Sequence, residues 1–373
     1  MTYLLIIGLV LLLHYGWLIF AYVHHWNRLE KLDGESNASV AILIPFRNEA
    51  LHLPVLLDSL EAIDYQGDWN IFMINDHSTD ESVAMIQDRK ISRLKILHLK
   101  NAEGKKEAIK LAWKHCNADV ILHTDADCKL PINWLKSMLA PMSNKEVAFV
   151  SGPVRYSKRP RPNESGRITF WQLFWHRWYQ IDFAALNVAG AAQIQMKKPI
   201  MCNGANLAYR SSALGTDLKM DYASGDDVFL MQHIKSKGEG VFFQKDPRAM
   251  VRTEAPTNMK AFLNQRLRWA GKNTSYGSLM STLRMALVWL FNMFILIGLF
   301  NVSNVIGLMA LFMLIVKILL DTYLLDASRK VYHIGQEAYS QLIIGQIAHV
   351  AYMALIPMAS KIFKYEWKGR KLK

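Results

Sequence analysis

The sequence predicts an α/β domain, a mostly parallel central sheet with helices on both faces, carried between membrane helices at its two ends. Three observations predict it. Short apolar runs alternate with helical patterns over residues 40–151, as strands joined through crossover helices do. A polar insertion closes each run, so that Glu49, Asp76, Lys105, Asp125 and Asp127 gather at one carboxyl edge of the sheet, where open α/β sheets bind ligands. Hydrophobicity is concentrated outside this stretch, in residues 3–23 and from residue 285 onward.

Residues 3–23 contain no Lys, Arg, Asp or Glu and match the roughly 20 apolar residues that cross a bilayer. With no basic segment in front and no small-residue cleavage site, they read as an anchor and not a removed signal peptide. His24, His25, Arg28 and Lys31 follow, and the positive-inside rule places residue 30 onward in the cytoplasm of a bacterial-type inner membrane. After a polar linker (33–39), the apolar run 40–44 closes in Pro45-Phe46-Arg47-Asn48-Glu49. A helix with Leu53, Leu56, Leu57 and Leu60 on one face comes next. Residues 70–74 form a second strand ending in Asn75-Asp76-His77-Ser78-Thr79-Asp80, with Ser78 or Thr79 expected to cap the following helix. Residues 94–99 are a third strand, Gly104-Lys105-Lys106 opens the next helix, and residues 120–124 and 148–151 are the fourth and fifth strands.

Residues 169–183 hold seven aromatics in fifteen positions, which suits either a core or an interfacial segment at headgroup depth. Met201-Cys202-Asn203-Gly204-Ala205-Asn206 reads as a loop entering a strand, its small residues permitting close approach to backbone. Asp226 and Asp227 stand at a helix start, where a carboxylate is favoured in any case, although capping needs only one. Residues 260–269 are amphipathic and basic, and residues 285–325 are apolar enough for two crossings joined near 301–304. Within the second, Lys317 and Asp321 lie four apart on one face and are expected to pair, since charges at membrane depth are costly alone. Residues 342–358, with Gln346, His349 and Pro357, read as a re-entrant or interfacial element. That choice leaves the basic tail 361–373 on the cytoplasmic side.

The formal net charge is +13, from 44 Lys+Arg against 31 Asp+Glu. With many basic residues beside hydrophobic spans, this favours a membrane surface and a phosphorylated ligand over nucleic acid. Three scattered cysteines give neither a disulfide framework nor a zinc spacing, which fits a reducing cytoplasm. Asp125 and Asp127 could hold a hard divalent cation through oxygen; taken alone they read sooner as two solvated acids in a strand-to-helix turn.

Pro45 to Glu49, Asn75-Asp76, Gly104-Lys105, Asp125-Ala126-Asp127, Asn203-Gly204-Ala205-Asn206, Gly225-Asp226-Asp227 and Gln265-Arg266-Leu267-Arg268-Trp269 occur in a fixed order before the C-terminal apolar segments. In this the chain resembles the membrane-associated family 2 glycosyltransferases, which include cellulose, hyaluronan and poly-N-acetylglucosamine synthases and ceramide glucosyltransferases. The resemblance spans roughly residues 40–270 as an ordered set of motifs. Glu366-Trp367-Lys368-Gly369-Arg370 is similar to the family's short basic tail.

The resemblance implies a GT-A domain that binds a nucleotide-sugar with Mg²⁺ or Mn²⁺. Asp76 matches the acid that recognises the nucleobase, with Pro45, Arg47, Glu49, Lys105, Asp125 and Gln265 in the donor site. Asp125 and Asp127 match the metal motif, Asp127 as the direct ligand, and the metal neutralises charge on the departing diphosphate. Asp227 matches the base that deprotonates the acceptor hydroxyl, and a single displacement inverts the anomeric centre. Arg268 matches the group that stabilises the diphosphate, as a cationic fork does. Trp269, with Asn203, Gly204 and Asp226, falls on the acceptor side. Asn75 departs from the first aspartate that many members carry, which leaves uridine against guanosine open, with a UDP-sugar expected.

The expected organisation is an N-terminal membrane helix (1–25), a cytoplasmic catalytic domain (38–255), an amphipathic interfacial stretch (256–282), C-terminal membrane or re-entrant helices (283–360) and a basic tail (361–373). The expected reaction is sugar transfer to a membrane lipid, because two or three C-terminal crossings make a narrow basis for a polymer channel. A processive polysaccharide synthase and a non-catalytic assembly subunit are the alternatives; the second predicts a missing charged motif, and none is missing. A transporter would need more spans and more polar residues at membrane depth.

Overall fold

The structure is a computed structural model and describes residues 2–160, 162, 166–214, 227–272, 279–363, 365–367 and 370–372. The chain divides into two units. The first, Leu29–Tyr156 with Gln193–Glu254, carries the sheet; the second, Met1–Arg28, Ser157–Ala192 and Ala255–Lys373, is largely helical. In chain order the elements are α1 (Thr2–Arg28), β1 (Val40–Phe46), α2 (Leu53–Glu61), β2 (Trp69–Asn75), α3 (Ser82–Asp88), β3 (Leu94–His98), α4 (Lys105–Trp113), β4 (Val120–His123) and α5 (Trp134–Leu139). There follow β5 (Val147–Ser151), β6 (Val154–Tyr156), α6 (Phe170–Gln195), β7 (Leu207–Arg210), α7 (Asp227–Ser236), β8 (Gly240–Phe243) and β9 (Val251–Thr253). The remainder is α8 (Met259–Lys272), α9 (Leu279–Gly298), α10 (Val305–Tyr332), α11 (Ala338–Ile344), α12 (Gln346–Ile362) and a hairpin of β10 (Tyr365–Trp367) and β11 (Arg370–Leu372).

Seven strands form one sheet in the order β3-β2-β1-β4-β7-β5-β8. The apolar runs read as strands are the inner ones: Ile42, Leu43, Ile44, Ile71, Ile74 and Leu122 are fully buried, as continuous apolar strands covered on both faces should be. β3, β2, β1 and β4 are parallel. The chain steps outward from β1 to β2 and β3, then returns to the other flank of β1 as β4. That reversal opens a crevice at the carboxyl ends of β1 and β4. Pro45 contributes to it: the β1–β4 ladder stops at Leu43↔His123, and the proline, with no N–H to donate, stands beyond that last pair.

β7 runs antiparallel between β4 and β5, so the sheet is mostly and not wholly parallel. Its register, Leu207 opposite His123, brings the turn before β7 to the edge where β4 ends. A second small ladder pairs β6 with β9. The expected helix cap at Ser78 or Thr79 is displaced. The Ser78 N–H donates to Asn75 Oδ1 at 2.9 Å and the Ser82 N–H to Asp80 Oδ1 at 3.1 Å, so these residues form a side-chain-bonded turn and the helix begins at Ser82.

In the helical unit, α1, α9 extended through Asn301, and α10 are long and apolar enough to cross a membrane, and α11 and α12 form a pair bent by 56°. The expected junction near residues 301–304 is present, and Asn304 caps α10 by accepting from the Ile306 and Gly307 N–H groups. The aromatic stretch at 169–183 falls on α6, and much of it is core. Phe174, Trp178, Tyr179 and Phe183 are buried, while Phe170 and Trp171 at its start are exposed. Lys317 and Asp321 pair at 2.6 Å.

Candidate active site

The sheet unit assembles its polar groups from the loops that leave β1, β2 and β4. Asn48 and His77, each one turn past a strand, hold φ of 51° and 56°, and the two loops are laced together. The Asn48 N–H donates to Ser78 Oγ, and Asn48 Oδ1 accepts from the Thr79 N–H at 2.8 Å. Arg47 Nη1 donates to the Asp76 and His77 carbonyls at 2.9 and 3.3 Å, so this guanidinium shapes the loop that carries Asp76. The Asp76 carboxylate is buried. It accepts from the Gly104 N–H at 3.1 Å and meets His77 Nδ1 at 3.2 Å. Gly104 has φ 96°, a conformation open to glycine, and this turn aims its N–H at the acid.

At the end of β4, Asp125 accepts from Lys105 Nζ at 2.6 Å. Asp127 accepts from Thr253 Oγ1 on β9 at 3.1 Å, and burial first, then the charges of Asp125 and Glu49, push its carboxyl up to about 6. Glu49 is itself buried and accepts from the His52 ring N–H at 2.6 Å. Three acids, Glu49, Asp125 and Asp127, thus lie close enough for their charges to bear on one another. Among the described residues no group of three His, Cys, Asp or Glu side chains encloses a metal position. The donor set fits Mg²⁺ or Mn²⁺ held by one or two carboxylates, with ligand oxygens completing the shell.

Gly204 lies in the turn before β7, and a Cβ there would overlap the Asp227 carboxylate. Glycine is therefore the residue that lets this acid, at the first turn of α7, settle against the loop. Asn203 Oδ1 accepts from the Ala205 N–H at 3.1 Å. Asn206 is fully employed in holding the turn, donating to the Pro153 and Ala249 carbonyls and accepting from Trp134 Nε1 at 2.9 Å. Asp226 lies outside the described residues.

Pro45, Arg47, Glu49, Asp76, Lys105, Asp125, Asp127, Asn203, Gly204 and Asp227 thus belong to the sheet unit, whereas Gln265, Arg268 and Trp269 stand on α8 of the helical unit. Several contributors carried no local signal. Thr253, which holds Asp127, is 126 residues away. Behind β4, Trp113 Nε1 donates to the Tyr209 hydroxyl at 2.6 Å, and that hydroxyl donates to His123 Nε2 at 2.8 Å. Burial, then Lys105, pushes His123 down to about 3, which keeps it a neutral acceptor. On the β6–β9 ribbon, burial and then Arg252 push Arg155 down to about 10.

The profile of Glycosyl transferase family 2 matches residues 41–214. Over that stretch, just under half of the chain, the sequence is similar to the family. An N-acetylglucosaminyltransferase of Neorhizobium galegae is 28% identical over 256 residues, covering 65% of this chain and 56% of that protein. One from Rhizobium meliloti (strain 1021) is 24% identical over 253 residues, 65% and 57% of the two. The chain thus spans little more than half the length of these curated relatives. Among solved structures, the mannosyltransferase PcManGT from Pyrobaculum calidifontis in complex with GDP-Man and Mn²⁺ is similar at TM-score 0.60 and 19% identity. That match covers 96% of this chain and 99% of that one, a likeness of fold: the chain has a GT-A-like architecture with long apolar helices at both ends.

Proposed function

We propose that this chain transfers a sugar, with inversion, from a nucleotide-diphosphate donor to a membrane lipid on the cytoplasmic face. The observation that carries the reading is the convergence on one crevice edge: Asp76, Asp125, Asp127 and Glu49 from the parallel strands, and the Gly204 turn with Asp227 against it from β7. N-acetylglucosamine is the sugar named for the curated relatives, and UDP is our expectation for its carrier. The GDP-mannose bound by the structural neighbour makes that donor the second to test.

In this reading Asp76 accepts from a ring N–H of the nucleobase. Asp127, oriented by Thr253, and Asp125 hold the divalent cation, which when bound offsets the charge of the leaving diphosphate. Lys105 stands at Asp125, in reach of phosphate oxygens that arrive there. Asp227 takes the proton from the acceptor hydroxyl as its oxygen attacks the anomeric carbon; the bond to the diphosphate breaks and the nucleoside diphosphate leaves. Arg268 adds cationic stabilisation to that diphosphate, and Trp269 offers the acceptor a flat apolar face.

The lipid acceptor is supported by the membrane unit, whose three spanning-length helices and one bent pair are a modest basis for a polymer channel. The test is nucleotide release by purified full-length protein with Mg²⁺ or Mn²⁺, across a panel of nucleotide-sugars and lipid extracts, with product analysis. One glycolipid product is expected. A ladder of polymer lengths refutes single transfer, and no sugar-dependent nucleotide release from any donor refutes the activity.

A further inference from the structure

The helical unit holds a second polar assembly that the proposed chemistry does not use. Asp182 on α6 is buried and accepts from Arg266 Nη2 on α8 and from the Tyr352 hydroxyl on α12. His349, one turn before Tyr352, places Nε2 3.8 Å from the same carboxylate and Nδ1 3.1 Å from Lys317 Nζ on α10. Lys317, fully buried, donates to Asp321, which also accepts from the Tyr15 hydroxyl of α1 at 2.5 Å and from Gln346 Nε2 at 2.6 Å. Two acids and two basic side chains alternate along this chain. It runs through α1, α10, α12 and α6 and ends on α8.

Its last member is the first arginine of Gln265-Arg266-Leu267-Arg268-Trp269. The Arg266 guanidinium lies 4.4 Å from the ring centroids of both Phe262 and Trp269, and its Nη1 donates to Gln265 Oε1 at 3.0 Å. Phe183, the residue after Asp182, stacks against Trp269 itself, with centroids 6.2 Å apart and planes at 28°. One dipeptide of α6 therefore supplies the carboxylate that fixes the guanidinium and a ring that fixes the indole. Because arginine only donates, its bond also sets which end of the Gln265 amide is oxygen. A carboxylate that accepts from a planar cation and a phenol restricts that cation's orientation, and buried hydrogen bonds of this kind help specify geometry.

We propose that Asp182 and Arg266 are a positioning pair for the acceptor side of the reaction, holding Trp269 in register, and that His349, Lys317 and Asp321 tie this pair to the spanning helices. The proposal rests on the transferase reading for its kinetic consequence and on geometry alone for its structural one, so two readouts separate them. The first is fluorine NMR of full-length protein labelled with fluorotryptophan, the Trp269 resonance being assigned by Trp269→Phe. Asp182→Asn and Arg266→Lys are expected to shift or split that resonance. The second is kinetic: both variants should lose about 10- to 100-fold in kcat/KM for acceptor, the scale of misplaced reacting groups, with a smaller rise in Kd for nucleotide with Mn²⁺, because Arg266 also holds Gln265. Tyr352→Phe, which removes one hydrogen bond and no charge, should show the same pattern more weakly and serves if Asp182→Asn does not fold. An unmoved Trp269 resonance in Arg266→Lys and Tyr352→Phe overturns the positioning role, as does a loss confined to thermal stability. Absence of transfer by the wild-type protein overturns the transferase reading and leaves the spectroscopic test intact.

Discussion

Lys105 Nζ lies 2.6 Å from Asp125 Oδ1, so a cation of the protein occupies one of the two carboxylates proposed to hold the metal. A second cation at Asp125 competes with the first unless incoming phosphate oxygens draw the lysine away. Lys105→Met should therefore strengthen Mn²⁺ binding in the absence of donor, yet weaken nucleotide-sugar binding with Mn²⁺ present by about tenfold, the loss of one charge-assisted contact. Calorimetric titration with and without nucleotide checks both signs.

A side chain at Gly204 would displace the Asp227 carboxylate. Gly204→Ala is expected to cut kcat by at least about 100-fold, as for loss of a general base, with donor binding retained. Asp227→Asn should match it, and the double variant should be no worse than either single one, because both changes remove the same group. Additive losses would separate Gly204 from the base.

Thr253→Val removes the hydroxyl that Asp127 accepts from. Partners that orient a metal ligand are worth about 10- to 100-fold in affinity, so the Mn²⁺ concentration for half-maximal rate should rise by that factor, with kcat recovered at saturating metal. Asp127→Asn should not recover, and a chelator should abolish turnover of the wild-type enzyme.

Lys317→Met leaves the part-buried Asp321 beside Tyr15 and Gln346 without the Lys317 ammonium. Removing one partner of a buried pair costs about 3–5 kcal/mol, and the combined Lys317→Met, Asp321→Leu change should restore most of it. Thermal unfolding in detergent measures the difference. Equal destabilisation by single and double variants would show that the pair contributes little.

Legibility followed sequence distance. β1, β2 and β4 are apolar runs buried along nearly their whole length, and the acids that close them are adjacent in sequence, so strand, edge and candidate ligands could be read together. The short strands β6 and β9, three residues each, are too brief for a period to register, and they pair across about a hundred intervening positions. Thr253 consequently had no visible link to Asp127. The pairing of Lys317 with Asp321 was readable because four residues separate them on one helix. Asp182 and Arg266 lie 84 residues apart and were not. The long helix α6 registered only as a cluster of aromatics, because its hydrophobic residues are distributed all round it.

The interrupted course of the chain bears on how the protein is made. Asp182 reaches its arginine only after 84 more residues are synthesised, and its Tyr352 hydroxyl only after 170. Domains tend to fold as the ribosome delivers them, so α6 emerges with an acid whose counter-charge does not yet exist. Synthesis of α12 is the event that completes its hydrogen bonds. A nascent chain halted before Gln346 carries an unfinished polar cluster among its apolar helices, a mark by which membrane quality control could tell it from the finished product.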